Sequence, residues 1–243
     1  MATWVTHLIV ADKILSKIPR LLRSEFCVGN IAPDSNIENQ DFTSFIPSRE
    51  VTHWMRGSIK RLSDGERFLN EYVKAKKALS PKEESFLLGY YVHLITDAEF
   101  RNFTHNEERL RASWRRIKSI PALKEKSSNM PETWETVKAL IPKNERFKDI
   151  YSIERKYLNE HPDSGYLTEI LLLESFPDYI DYLPKNAVVR KIRVMGYIPR
   201  TEKSEYPYVA FTEDEYFIFI EEAAEKSAHY ISAYYNEKEG ANI

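Results

Sequence analysis

The sequence predicts an all-α fold, on three observations. Apolar residues recur at three- and four-residue spacing through most of the chain, which places them on one face of a helix. Several of these stretches open with a side-chain cap or a proline at the first helical position. Finally, no clear hairpin signal joins two alternating runs, and glycine is scarce, with 7 in 243 residues. With 42% hydrophobic residues there is enough apolar material for a core.

The elements follow in order. Residues 3–16 carry Trp4, Leu8, Ala11 and Leu15 at helical spacing, continued by Ile18, with Thr3 or Thr6 as the cap. Residues 27–48 hold Gly29, Asn30, Pro33, Asp34, Asn36, Asn39 and Pro47 without periodicity, and read as a long loop of the kind that carries function. Residues 63–79 begin Ser63-x-x-Glu66, a capping-box pattern. Ser80-Pro81-Lys82-Glu83 marks the next helix, expected to run to about Phe100. Further helices are expected over 107–119, 131–140, 147–159 and 165–175. Residues 187–196 fit a strand by alternation and a helix through Val188, Ile192 and Met195. A long last helix follows Thr212, over 213–236. Without repeat, low-complexity tract or linker, residues 1–243 are expected to form a single domain.

Composition excludes several function classes. The formal net charge of -2 gives no acidic or basic excess, so neither nucleic acid nor an anionic membrane is expected as an obligatory partner. No two glycines lie closer than Gly57 and Gly65, which rules out the glycine loops that cradle phosphates. The single Cys27 cannot form an intramolecular disulfide. Residues 85–96 are apolar and uncharged but fall short of the ~20 a membrane span needs, so no transmembrane segment is expected. Asp12 and Lys13 break the first apolar run, unlike a signal peptide, and a cytoplasmic protein is expected.

The feature richest in chemistry is His93-Leu94-Ile95-Thr96-Asp97. His93 and Asp97 project from one face of a helix that is apolar nearly all round. A buried carboxylate beside an imidazole is costly unless it is paired or bound to metal. The pair alone is equally readable as a hydrogen bond tying two helices. His7 on the first helix, Asp34 in the long loop and His53 before Trp54 each have an ordinary packing or turn explanation too. Together, imidazole and carboxylate are the ligand set expected for zinc in a hydrolytic site. Competing metal and hydrolase motifs are missing: one Glu-x-x-His (Glu50 to His53) stands where a di-iron bundle needs two, and there is no His-Glu-x-x-His, G-x-S-x-G or His-Asp dipeptide.

The order Thr6-His7, Gly29-Asn30-Ile31-Ala32-Pro33-Asp34, Thr52-His53-Trp54 and Gly89-Tyr90-Tyr91-Val92-His93-Leu94-Ile95-Thr96-Asp97 resembles the zinc-dependent phospholipase C family, whose wider relatives include zinc nucleases of the single-strand type. The similarity covers roughly residues 1–105. It implies a multi-helix bundle of that family's type, with the metal site drawn from residues 1–105 and the C-terminal half completing the bundle. It also implies hydrolysis of phosphodiester bonds at clustered zinc ions. Carried over by residue, Asp34, His53, His93 and Asp97 match one complete zinc site, and Asp97 bridges to a second zinc held by His7. In the family the second zinc is completed by the amine and carbonyl of an N-terminal tryptophan, and here Trp4 lies near the start. A third family zinc uses two later histidines and a glutamate, one His and the Glu four apart. No His-x-x-x-Glu exists here, His105 and His161 are loose candidates, and Glu225 with His229 is the reversed order, so one or two zinc ions are expected.

The reading that results is a zinc-dependent phosphodiester hydrolase in which metal-activated water attacks phosphorus and Asp34 serves as ligand, base or both. A small-molecule or lipid phosphodiester is the expected substrate, with Phe42, Phe45 and Trp54 near the ligands as an aromatic rim. Two alternatives stay open. A nuclease of the same fold would use cationic and stacking groups such as Arg109, Arg111, Trp114, Arg115, Arg116 and Lys118. A non-catalytic helical interaction domain would keep only a vestigial metal site.

Overall fold

The structure is a computed structural model that describes residues 2–41, 43–55 and 63–240. It is all-α, with eleven α-helices and one two-stranded ribbon among the described residues. The helices are α1 (Trp4–Lys17), α2 (Arg23–Gly29), α3 (Arg49–Thr52), α4 (Gly65–Phe68), α5 (Pro81–His105), α6 (Glu107–Ser119), α7 (Pro121–Lys126), α8 (Trp134–Leu140), α9 (Lys143–Glu160), α10 (Ala187–Met195) and α11 (Glu213–Gly240). The ribbon pairs β1 (Ile37–Glu38) antiparallel with β2 (Phe45–Ile46), Ile37 facing Ile46 and Glu38 facing Phe45.

Capping chemistry explains most boundaries. Thr3 caps α1 by accepting from the Thr6 amide. The Ser80 hydroxyl accepts from the Glu83 amide at the head of α5. At α11, Thr212 Oγ1 accepts from the Glu215 amide while Glu215 Oε2 accepts from the Thr212 amide, a reciprocal capping box. Other expectations are corrected. Asp64, not Ser63, caps α4, and the helix passes after Phe68 into a π-helical stretch, Leu69–Lys74. Thr133 rather than Pro131 opens α8, because its hydroxyl can take the Thr136 amide. The helix expected over 165–175 is a single π turn, Tyr166–Ile170. Nor is 27–48 one loop: α2 ends inside it, a 3-10 turn spans Ala32–Asp34, and the ribbon follows. Residues 187–196 resolve as helix, since Arg190 and Lys191, adjacent in sequence, both reach Glu38.

The chain divides into two compact units. The first comprises residues through Ala98, Asp163–Tyr197 and the chain from Glu221. Its core holds Leu8, Ile9 and Ile14 of α1, Phe26 and Val28 of α2, Leu87, Leu88 and Val92 of α5, and Ala224 and Ile231 of α11, all fully buried. Each such side chain contributes about 1.5–3 kcal/mol on burial. α2 and α5 cross at contact distance: a Cβ on Gly29 would lie 2.1 Å from the Phe86 carbonyl oxygen, and one on Gly89 2.2 Å from that of Phe26. Two facing glycines are what lets the backbones touch. The segment His161-Pro162-Asp163-Ser164-Gly165-Tyr166, to which the sequence assigns no role, contributes a clamp here. Partly buried Asp12 of α1 accepts from the Ser164 hydroxyl (2.9 Å) and the Gly165 amide (3.0 Å).

The second unit comprises Glu99–Pro162 and Ile198–Ile220. Its Arg109 is buried and donates to the carbonyls of Phe103, Thr104 and Ala210, while Arg116 makes a forked pair with Glu215. Trp114 is buried as well. Of the cationic and stacking groups that the nuclease alternative would use, Arg109, Trp114 and Arg116 are thus taken up by internal contacts of this unit.

Candidate metal centre

Four segments of the first unit deliver the five candidate ligands to one place. His7 comes from the second turn of α1, Asp34 from the 3-10 turn after α2, His53 from the residue that ends α3, and His93 and Asp97 from successive turns of α5. His7, His53 and His93 are fully buried. The side chains of Asp34 and Asp97 keep 16% and 8% exposure, which makes Asp34 the more open carboxylate.

Donor atoms converge in two groups that share His93: His7, His93 and Asp97, and Asp34, His53 and His93. His53 Nε2 lies 3.4 Å from Asp34 Oδ1, 3.4 Å from His93 Nε2 and 3.7 Å from Asp97 Oδ2. His93 Nε2 lies 4.0 Å from the same Asp97 oxygen. Two atoms that each sit about 2.0–2.1 Å from a tetrahedral zinc are about 3.4 Å apart, so this is ligand spacing. Asp97 turns its other oxygen away: Oδ1 is 3.6 Å from His7 Nε2 and accepts from the Ala2 amide at 3.1 Å. The two carboxylate oxygens thus face different histidines. His7 stacks on His93 with centroids 3.8 Å apart.

Surrounding partners set the protonation of the rings. His93 Nδ1 lies 2.7 Å from the Asn30 carbonyl, which only accepts, so Nδ1 carries the proton and Nε2 faces the cluster with its lone pair. Arg49 Nη2, which only donates, lies 2.8 Å from His53 Nε2, so that nitrogen is a lone pair too, and Nδ1–H points to the Thr52 hydroxyl at 2.9 Å. Neither ring nitrogen of His7 has a hydrogen-bond partner, although both are buried. Lone pairs aimed at one another and orphaned buried nitrogens are expensive unless a cation lies among them. The donor set of imidazole and carboxylate suits zinc.

Electrostatics agree. Burial and the neighbouring His7 push the His93 imidazole down to about 3, against the pull of Asp34 and Asp97, so it is the neutral, ligating form at neutral pH. Burial works to raise the Asp34 carboxyl, but the imidazoles of His53 and His93 and the guanidinium of Arg49 outweigh it and hold the group well below the usual range. Asp97 follows the same pattern, with His7 and His93 outweighing burial. Within the cluster one guanidinium, that of Arg49, faces both carboxylates.

Several neighbours are invisible to motif reading. The Trp4 indole N–H donates to Asp34 Oδ2 at 3.1 Å, so Trp4 braces a carboxylate through its side chain. Arg49 also lies 3.9 Å from Asp34 Oδ1 and 3.9 Å from Asp97 Oδ2. Its only signal in the sequence is a place four residues before His53, one helical turn away. Trp54 adopts φ 51, in the left-handed region, and its indole donates to the Tyr182 hydroxyl at 3.0 Å. Phe45 pairs within the ribbon, and Phe42 lies outside the described residues. The remaining histidines sit elsewhere: His105 beside the Arg101 carbonyl, His161 against Tyr157, His229 beside Tyr230. Among the described residues none of these three joins a metal-capable group.

Comparison with known proteins gives one match. A family model described as zinc dependent phospholipase C covers residues 6–150, more than half of the chain and all five candidate ligands. No curated protein and no solved structure matches.

Proposed function

Because the chain belongs to the zinc-dependent phospholipase C family, and is therefore a hydrolase of phosphoester bonds, we propose that it cleaves a lipid phosphodiester at the cluster of His7, Asp34, His53, His93 and Asp97. The observation that carries this reading is the 3.4 Å spacing of His53 Nε2 from both Asp34 Oδ1 and His93 Nε2, with the lone pairs of both rings turned inward. In this reading Asp34, His53, His93 and Asp97 would hold one zinc. His7 and Asp97 would hold a second ion, if one binds. Zinc supplies positive charge for the phosphate oxygens and acidifies water at the site.

The protein's own groups do the rest. Burial keeps His93 neutral, and the Asn30 carbonyl and Thr52 hydroxyl, which take the outer protons of His93 and His53, fix the orientation of the two rings. Asp97 spans the two halves of the cluster, one oxygen to each. Asp34, the more open carboxylate, is ionised: its Oδ1 faces His53 as a ligand, and its Oδ2, which accepts from the Trp4 indole, keeps a second lone pair to take the proton of the attacking water. As the water oxygen bonds to phosphorus, the bond to the lipid alcohol breaks and that proton passes to the departing oxygen. The products are a diglyceride and a phosphorylated headgroup.

The test is turnover on mixed micelles of a phospholipid by protein purified without chelator, beside turnover on single-stranded nucleic acid. Equal amounts of diglyceride and phosphorylated headgroup, abolished by chelator and restored by zinc, are expected. Nucleotide products, or no lipid turnover by zinc-loaded protein, would overturn the reading. Among the described residues no helix is long and apolar enough to cross a membrane, so a lipid substrate would be met at its surface.

A further inference from the structure

Arg49 occupies a chemically conflicted place. Its Nη2 donates to His53 Nε2 at 2.8 Å, and its fork lies 3.9 Å from an oxygen of each carboxylate. An imidazole nitrogen has one lone pair, so His53 can serve this guanidinium or a metal ion but not both at once. The guanidinium therefore stands where a cation is wanted and competes for the same donors. Its position is also distinctive. His53 and His93 are sealed from solvent, whereas the Arg49 side chain is 26% exposed, so it lies on the open side of the cluster. Its four-bond stem gives the charged head room to swing outward without moving α3.

We propose that Arg49 is a further substrate-binding residue: it holds the ligand cluster together as an internal cation, yields His53 to zinc, and then binds the non-bridging oxygens of the phosphodiester. The inference rests on the functional reading above. The guanidinium fork matches two phosphate oxygens in a way that a point charge does not. Zinc entering among the same donors places two positive charges beside the guanidinium and drives it outward, toward the more exposed side of the cluster. One side chain thus offsets the repulsion of the two carboxylates in one state and reads the substrate's phosphate in the other.

The two roles predict opposite effects of one substitution, which a merely structural arginine would not produce. For Arg49→Ala, zinc binding measured by competition with a chromophoric chelator should tighten about tenfold, because a hydrogen bond to a charged group worth about 1.4 kcal/mol no longer has to be broken. Inorganic phosphate binding to the zinc-loaded protein, measured by calorimetry, should weaken about tenfold or more. Arg49→Lys should fall between, since it keeps the charge and loses the fork. Arg49→Gln, which retains most of the stem, takes the place of Arg49→Ala if that variant does not fold. Zinc affinity unchanged or weakened, or phosphate affinity unchanged, overturns the proposal while leaving the zinc reading intact. A wild-type protein that binds no zinc overturns both.

Discussion

At the scale of single residues, the two groups of donors are unequal, and this has a measurable consequence. His53 and His93 have both ring nitrogens committed, the outer one to a fixed partner and the inner one to the cluster, whereas His7 faces Asp97 at 3.6 Å and stacks on His93 with no hydrogen bond fixing its outer nitrogen. A ligand whose orientation is fixed in advance binds with less loss of freedom. His93→Ala is therefore expected to abolish tight zinc binding, while His7→Ala leaves one zinc bound and cuts turnover; titration of each variant with a chelator distinguishes them. If His7→Ala releases all metal and His93→Ala retains it, the assignment to two unequal groups is wrong. A second residue-scale expectation lies in the other unit. Burial raises the Asp149 carboxyl to about 6, partly offset by the Tyr208 amide that donates to it, with the charge of Glu145 adding to the rise. A carboxyl raised on folding costs nothing below its unfolded pKa of about 3.8 and its full penalty above 6, so this group lowers stability as pH rises through that window. Asp149→Asn, whose side-chain oxygen can still accept from Tyr208, should raise the melting midpoint at pH 7 by up to about 3 kcal/mol of stability and flatten the pH 4–6 slope. A melting curve at pH 7 no higher than wild type would contradict this.

Helix-to-helix contact explains how the ligands come to meet. Asn30 follows directly on α2 and its carbonyl orients His93 of α5, so the α2–α5 distance sets the angle of a ligand ring. That distance exists because Gly29 and Gly89 face backbone atoms of the opposite helix. Gly89→Ala puts a Cβ 2.2 Å from the Phe26 carbonyl oxygen, and neither backbone can give way as a flexible side chain would. The variant should lose about 1–3 kcal/mol of stability or more and bind zinc at least tenfold more weakly, read by thermal unfolding and zinc titration. Unchanged zinc affinity in a destabilised Gly89→Ala protein would show that the helix contact does not position His93. The short α3 acts similarly on a smaller scale. His53 closes it, its amide bonded to the Arg49 carbonyl at 2.8 Å, and Trp54 turns into a left-handed conformation at once. The Tyr90 hydroxyl donates to the Thr52 carbonyl, which ties this turn to the helix bearing His93.

Across the molecule as a whole, zinc should behave as part of the folded state. The ligands come from positions 7, 34, 53, 93 and 97, so the unfolded chain offers no comparable site and binding adds to stability by mass action. Zinc at one hundred times its dissociation constant contributes about 2.7 kcal/mol, which for a chain of this size raises the melting temperature by about 5–10 °C. Chelator should reverse the shift without removing the helical circular dichroism signal at low temperature, because the core of each unit is apolar and does not depend on metal. A melting temperature indifferent to both zinc and chelator would contradict a resident metal.

Much of this protein was legible in one dimension. Helical spacing and capping residues act within a few positions of one another, so the all-α class, the starts of α1, α5 and α11, and the whole span of α6 could be read directly. The five candidate ligands were also readable, because histidine and aspartate four apart on an apolar helix form a local signal and the others follow a family order. What needed the tertiary structure was everything set by contact between distant segments. The helix over 187–195, the division of the second half, and the buried roles of Arg109 and Asp149 depend on partners about 50 to 150 residues away. The Asn30 carbonyl that fixes His93 is likewise 63 residues away, and the Trp4 brace on Asp34 and Arg49 standing between both carboxylates also join separate elements. A cap or a helical face is decided by neighbours along the chain, but the protonation and aim of a ligand are decided by what folding brings against its other side.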